Sequence, residues 1–399
     1  MIANMQLMRR MNRTRILGLL RDGSVLTRLQ LAQRTGLDGT TITNLVRGLL
    51  KDGLLARRGY ERSTGGRRAE RLALAPDWCW TLGFYLGPRH LVGVLADLGG
   101  GVRRQLETNL PAPAAAASAL RSLTARLCSE AGAVKILGAG LAVTGMLDRV
   151  RSRLVQSAFF PSLEGRDLAA LLRSAAPAAA DLRVFVDTSA RCLALCEHRF
   201  GVARGLRDFV FLELGRGIGC AIVSNGELHR GASAGAGELG HTPVVRNGGR
   251  SCSCGHRGCL ETVASLGMLA AAAQPLLGGR EPELATIRDA CAAGDGPVTE
   301  LVRAAGRACG FTVSGLVNVL NPSHLVIGGE LAQLGPVLLT AIDEALRRHT
   351  MPASYAELRS LPAAFPESTG AALGAAALAI DTVFTLPVAA VPTREVDPC

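Results

Sequence analysis

Glu238-Leu239-Gly240-His241 precedes Cys252-Ser253-Cys254-Gly255-His256-Arg257-Gly258-Cys259-Leu260-Glu261, so three thiols and two imidazoles crowd into one short stretch. One imidazole and three thiolates make a closed, tetrahedral Cys3His site of the structural zinc type. The C-x-C-G-x-x-G-C spacing sets glycines where the chain must turn back for three sulfurs to meet one ion. A cysteine loop punctuated by glycine has little packing reason to exist without a metal; the alternative is three free or buried thiols. Cys252, Cys254 and Cys259 supply the sulfurs, and His241 or His256 the nitrogen.

On either side of this loop, strands alternate with helices, the pattern of an α/β body over residues 80–385. Apolar runs predict strands at Thr81–Leu86, His90–Asp97, Ile136–Val143, Val184–Asp187, Phe209–Leu214, Gly219–Ser224 and Leu325–Gly328. Helical spacing predicts helices at Ala114–Glu130, Asp167–Arg173, Thr188–Phe200, Val298–Asn318 and Val337–Arg348. Leu214-Gly215-Arg216-Gly217-Ile218-Gly219 lies between two strands. Such a turn either presents backbone N–H groups to a phosphate or is a plain hairpin. Residues 386–399 contain three prolines and little periodicity, the mark of a loosely ordered tail.

The first 76 residues differ from the body in charge. They carry 15 Arg and Lys against 5 Asp and Glu, whereas the remaining 323 carry 29 against 28. A small basic module on a neutral body is the electrostatic footprint of polyanion binding. Ile16, Leu17, Leu19 and Leu20 mark a first helix. Leu26–Thr35 reads as a second, with Leu29, Leu31 and Ala32 inward, and Gly36-Leu37-Asp38-Gly39 as a turn. A third helix runs from Thr40 to Lys51, and strands at Leu54–Arg58 and Arg68–Leu74 flank a polar tip. This order predicts a winged helix-turn-helix. Thr40, Thr41 and Asn44 then face base edges in the major groove, and Arg47 a phosphate. Arg67 and Arg68, at the flexible wing tip, suit the backbone or a narrow minor groove. A three-helix protein-interaction module is the alternative, and the charge argues against it.

The chain is long enough for two or three domains. It contains no apolar run of membrane-spanning length, and MIANMQLMRRMNRTR lacks the apolar core and cleavage site of a secretion signal. The expectation is a cytoplasmic protein without membrane contact. Cys192, Cys196, Cys220 and Cys309 lie in apolar stretches and read as small buried hydrophobes rather than a disulfide framework.

Over nearly its whole length the sequence resembles the ROK family of repressors, open reading frames and sugar kinases. The resemblance rests on E-x-G-H…C-x-C-G-x-x-G-C-x-E, on Asn321-Pro322…Val326-Ile327-Gly328-Gly329, and on Gly370-Ala371-Ala372-Leu373-Gly374-Ala375. It implies a two-lobed, actin-like ATPase (ribonuclease H-like) fold, a homodimer or homotetramer, and a sugar held between the lobes. It also favours His241 as the metal-binding imidazole, and matches Glu238, His241 and Glu261 to sugar-contacting positions. The N-terminal winged helix resembles that of the family's repressors.

Departures from the family pattern bear on activity. Kinases of the family carry Asn-Asp at the head of a helix, the Asp being the general base; here Thr188-Ser189 stands there. A hydroxyl is a poor proton acceptor at neutral pH, and a positioned base contributes roughly 10²–10⁴-fold. Tyr85-Leu86-Gly87-Pro88-Arg89 occupies the first phosphate loop, and Arg216 replaces the usual Thr of the second. The reading is therefore a non-enzymatic, zinc-containing repressor of carbohydrate genes. It binds operator DNA under control of a sugar or sugar derivative near Ser189, Glu238, His241 and Glu261. The alternative is an active sugar kinase that also binds DNA.

Overall fold

The computed structural model describes residues 2–21, 24–62, 68–110, 112–148, 152–174, 182–279, 282–294 and 296–384. The polar tip at 63–67, which contains Arg67, and the tail at 386–399 lie outside the described residues.

The N-terminal unit comprises α1 (Ile2–Leu20), β1 (Leu26–Thr27), α2 (Arg28–Thr35), α3 (Gly39–Lys51), β2 (Leu55–Tyr60) and β3 (Glu70–Leu74). Its strands pair antiparallel in the order β1-β3-β2, and Ile16, Leu20, Leu31, Ile42, Val46, Leu49 and Leu72 form its core. This is a helix-turn-helix followed by a hairpin, as expected, with two corrections. The second helix starts at Arg28 rather than Leu26. Thr27 caps it in a reciprocal box with Gln30, and Leu26 and Thr27 pair with β3 instead. Leu29 is exposed, not inward: residues two apart on a helix lie on opposite sides, so Leu29 and Leu31 cannot both face the core.

The body holds two five-stranded sheets with one topology. The first takes β4 (Trp80–Leu86), β5 (His90–Asp97), β6 (Val102–Asn109), β7 (Ile136–Val143) and β10 (Arg183–Thr188) in the order β10-β7-β4-β5-β6. The hairpin β8 (Met146–Asp148) and β9 (Arg153–Gln156) and helices α4 (Ala116–Ala131) and α5 (Leu168–Ser174) complete that lobe, and α6 (Ser189–Phe200) leaves it. The second sheet takes β11 (Phe209–Leu214), β12 (Ile218–Ser224), β13 (Glu227–His229), β14 (His324–Gly328) and β15 (Arg359–Pro362) in the order β13-β12-β11-β14-β15. Its helices are α7 (Glu261–Ala264), α8 (Leu266–Ala273), α9 (Leu284–Ala292), α10 (Gly296–Leu320), α11 (Pro336–His349) and α12 (Pro352–Glu357), and α13 (Glu367–Phe384) leaves it. In each sheet three antiparallel strands are followed by two parallel ones, and a long helix follows the fifth. The duplicated plan is the two-lobed α/β architecture that the resemblance implies.

α6 and α13 pack between the sheets, with Cys192, Ala194, Ala371, Ala372, Ala375 and Ala376 in a shared core. The small residues are steric necessities. A Cβ on Gly374 would lie 1.8 Å from the Cys192 carbonyl, and one on Gly140 would lie 1.9 Å from that of Ala375. At its far end α13 contributes Ile380 and Phe384 to the core of the winged unit, so one helix joins lobes and head. Among the described residues no helix is long and apolar enough to cross a membrane.

Candidate ligand cleft, metal cluster and DNA-reading helix

A short 3-10 turn, Leu239–His241, follows Glu238, and a looped segment brings the cysteines back to it. The ligand atoms of His241, Cys252, Cys254 and Cys259 all lie within 4.8 Å of one another. Cys252 Sγ is 3.4 Å from His241 Nδ1, and Cys254 Sγ is 3.6 Å from Cys259 Sγ. Tetrahedral coordination at ordinary bond lengths sets such sulfur–sulfur and sulfur–nitrogen edges at about 3.6–3.8 Å, so the cluster fits a small metal ion. Burial and the neighbouring sulfurs push the Cys259 thiol up to about 12, a state that a bound cation would reverse. His256 Nδ1 lies 3.6 Å from Cys254 Sγ but falls outside the cluster of four. Gly258 has φ +74°, and a Cβ there would meet the Val245 carbonyl at 2.2 Å, so the loop closes only with glycine.

The cluster forms one wall of a cavity of about 110 Å³ between the lobes. Glu238, His241, Glu261 and Ser189, scattered over more than seventy residues, all line it, as do Tyr85, Thr188, Glu213, Arg216 and Glu367. His241 serves both features: Nδ1 faces Cys252, while Nε2 lies 3.9 Å from Glu238 Oε2. Burial pushes the Glu238 carboxyl up. Gln156 of β9 donates to the Ser253 carbonyl at 2.6 Å, tying the first lobe to the metal loop across the cleft.

At the cleft floor, the Ser189 hydroxyl donates to Glu213 Oε2 at 2.9 Å. Burial and the nearby Glu367 push Glu213 up to about 8. Tyr85 donates to Glu367 Oε1 at 2.8 Å, and burial raises both groups. Sequence reasoning missed Glu213 and Glu367 as cavity residues. The available signal for Glu213 was a carboxylate inside the otherwise apolar and wholly buried run Phe209–Leu214. Arg191, in the first turn of α6, does not line the cavity. Its Nε pairs with Asp187 Oδ1 at 2.5 Å and its Nη1 donates to the Ala234 carbonyl at 2.9 Å, pinning the segment that leads to Glu238.

The glycine turn between β11 and β12 is pressed against carboxylates. Cβ atoms on Gly215, Gly217 and Gly219 would lie 3.1 Å from Glu367 Oε2, 3.0 Å from Glu261 Oε2 and 2.9 Å from Glu213 Oε2. The Ile218 N–H donates to Glu261 Oε2 at 3.2 Å. Carboxyl groups, ionised or protonated, suit hydroxyl groups as hydrogen-bond partners.

In the winged unit, Asp38 caps α3, accepting from the Thr41 N–H at 2.8 Å and the Thr41 hydroxyl at 2.6 Å. These bonds hold the Asp38 carboxyl below its usual range. Thr40, Asn44 and Arg47 are exposed, and Arg47 Nη1 donates to Asn44 Oδ1 at 3.2 Å. Arg68, beside the tip, is exposed.

Fold and cleft together define an actin-like, sugar-kinase-type body carrying a winged helix-turn-helix head. The chain belongs to the ROK family, whose model matches residues 81–382. It is 26% identical to a xylose repressor of Caldicellulosiruptor bescii, over 97% of this chain and 99% of that protein. It is 27% identical to an N-acetylglucosamine repressor of Escherichia coli O6:H1, over 88% of each. Its fold matches the crystal structure of a ROK family transcriptional regulator, a homologue of the E. coli MLC protein. That match has a TM-score of 0.79 at 24% identity, over 94% of this chain and 97% of that one.

Proposed function

We propose that this chain is a transcriptional repressor of carbohydrate genes, in which an uncharged sugar or sugar derivative in the cleft controls the grip of the winged unit on operator DNA. The observation that carries the reading is the Ser189–Glu213 hydrogen bond. Where the family's kinases place a carboxylate base, this chain has a hydroxyl whose proton is already committed. The name of repressor borne by relatives aligned over most of their length supports the same reading.

On this proposal Thr40, Thr41 and Asn44 read base edges, and Arg47, Arg67 and Arg68 hold the DNA backbone. Zn²⁺ is held by His241, Cys252, Cys254 and Cys259. When bound it supplies no reacting group; it fixes His241 Nδ1 so that Nε2 and Glu238 face sugar hydroxyls. Ser189, Glu238, His241 and Glu261 hold the sugar. The protein works in the cytoplasm as a homodimer or homotetramer, its two heads spaced for half-sites about one DNA turn apart. The organising proposal for the chain is a winged head over 1–76 and an effector-binding body over 80–385.

Glu213 itself favours a second reading. Burial raises this carboxyl, which is bonded to Ser189, so that its ionised form is a stronger base than an ordinary carboxylate, the property a working kinase needs. Two assays separate the readings. A gel shift uses DNA upstream of the protein's own gene, with xylose, glucose and N-acetylglucosamine in turn; one sugar should release the DNA. A coupled ATP assay with the same sugars should show no turnover. Brisk phosphorylation would establish the kinase instead.

A further inference from the structure

A second groove, of about 630 Å³, runs between the winged unit and the body, and among the described residues none lines both it and the sugar cleft. Among the described residues, five of its lining side chains are arginines and none is Asp or Glu. Arg21, Arg58 and Arg71 come from the winged unit; Arg199 and Arg204 come from the end of α6 and the turn beyond it. Arg21 and Arg199 share one carboxylate behind the groove, Asp381 of α13, and the Arg21 guanidinium also lies 4.9 Å over the Phe384 ring. Arg58, Arg71 and Arg204 are exposed along the rim. The floor is a closely fitted turn: Asp97 Oδ1 accepts from the N–H groups of Gly99 and Gly101 at 2.8 and 2.9 Å, and a Cβ on Gly100 would strike the Phe200 ring at 2.3 Å.

We propose that this groove is a binding site for a small phosphorylated molecule bearing at least two negative charges, separate from the sugar cleft. Guanidinium groups from both units line one groove, and among the described residues no acidic side chain lines it with them. Such a concavity focuses positive potential, and planar guanidinium groups match phosphate oxygens two at a time. The volume falls in the range of small-molecule sites. Because the arginines come from head and body alike, an anion between them fastens one to the other. The proposal is independent of the sugar reading. A phosphate of the DNA backbone has the same chemistry, and the test separates the two sources.

The full-length protein is titrated with inorganic pyrophosphate by calorimetry at constant ionic strength, beside the double variant Arg58→Gln/Arg204→Gln, whose altered side chains are exposed. The expected result is one saturable site per chain, weakened at least tenfold in the variant, with the far-ultraviolet circular dichroism unchanged. Absence of saturable binding, or binding that the variant leaves unaltered, overturns the proposal. The same variant is tested on upstream DNA at increasing salt. An unchanged log–log slope supports a small-ligand site. A slope reduced by about two, at roughly 0.9 per phosphate contact, assigns the arginines to the DNA backbone and overturns it.

Discussion

Glu367 and Asp381 stand near opposite ends of one helix, α13. Glu367 lines the cleft between the lobes and accepts from Tyr85, while Asp381 pairs with Arg21 at the foot of the winged unit and Arg199 at the end of α6. At 1.5 Å per residue the helix separates them by about 21 Å. α6 spans the same two places, from Ser189 in the cleft to Arg199 beside Asp381. Two packed helices therefore lead from the cleft to the head.

Asp381→Ala removes the carboxylate shared by two half-buried guanidinium groups. Stability should fall by about 1–3 kcal/mol, seen as a melting temperature lower by several degrees. Sugar affinity of the folded protein should be unchanged, while the sugar's effect on DNA binding shrinks. Anisotropy titrations of labelled upstream DNA with and without sugar measure that effect; a full sugar response in the variant would remove Asp381 from the coupling.

Metal content is the second expectation. Elemental analysis should find one zinc per chain in the native protein and none in Cys254→Ser. Because His241 joins the cluster to the cleft, stripping the metal should weaken sugar binding by roughly 10–100-fold. Sugar binding that survives complete removal of zinc would separate the two features.

Glu213 predicts a pH dependence with a definite sign. Its folded-state value, about 8, lies above the ordinary 4.5. Between these values the unfolded chain releases a proton that the folded chain keeps, so this group makes stability fall as pH rises, with no further change above about 8. Glu213→Gln keeps an acceptor for Ser189 and removes the penalty. The variant should be the more stable at pH 8, by on the order of 4 kcal/mol, and should converge with the parent near pH 4.5. Urea unfolding at a series of pH values checks this; parallel curves would contradict it.

On α3, Asn44→Ala should cost about 1–3 kcal/mol of discrimination between upstream DNA and a mismatched duplex. Arg47→Ala should weaken binding to all duplexes alike and lower the salt slope by about one. Competition titrations at several salt concentrations distinguish these outcomes. Because Arg47 donates to Asn44, the double variant should lose less than the sum of the two.

Much of this molecule is legible wherever the deciding contacts are short-range. The cysteine loop is readable because its ligands lie within eighteen residues of His241 and glycine marks the turns. Apolar runs such as Phe209–Leu214 and Ile136–Val143 mark buried strands to the residue. By contrast β6, VRRQLETN, is an edge strand with an almost wholly exposed face, and it offers no alternation to read. The second helix starts two residues later than Leu26 because the T-x-x-Q capping box at Thr27 and Gln30, rather than the apolar Leu26, sets its first turn. The Tyr85–Glu367 bond spans 282 residues, and Ser189 meets Glu213 from a different lobe. No local pattern encodes those meetings; the duplicated topology creates them by bringing the head of α6, the first turn of α13 and β11 to one floor.

The most direct test of sugar control is reciprocity. The sugar that releases DNA is titrated calorimetrically into the free protein and into the protein saturated with its upstream duplex. Coupling through one protein requires the sugar to bind the DNA complex more weakly by the same factor with which it weakens DNA binding, about 5–150-fold for ordinary allosteric coupling. Equal sugar affinity in the two titrations would contradict the account.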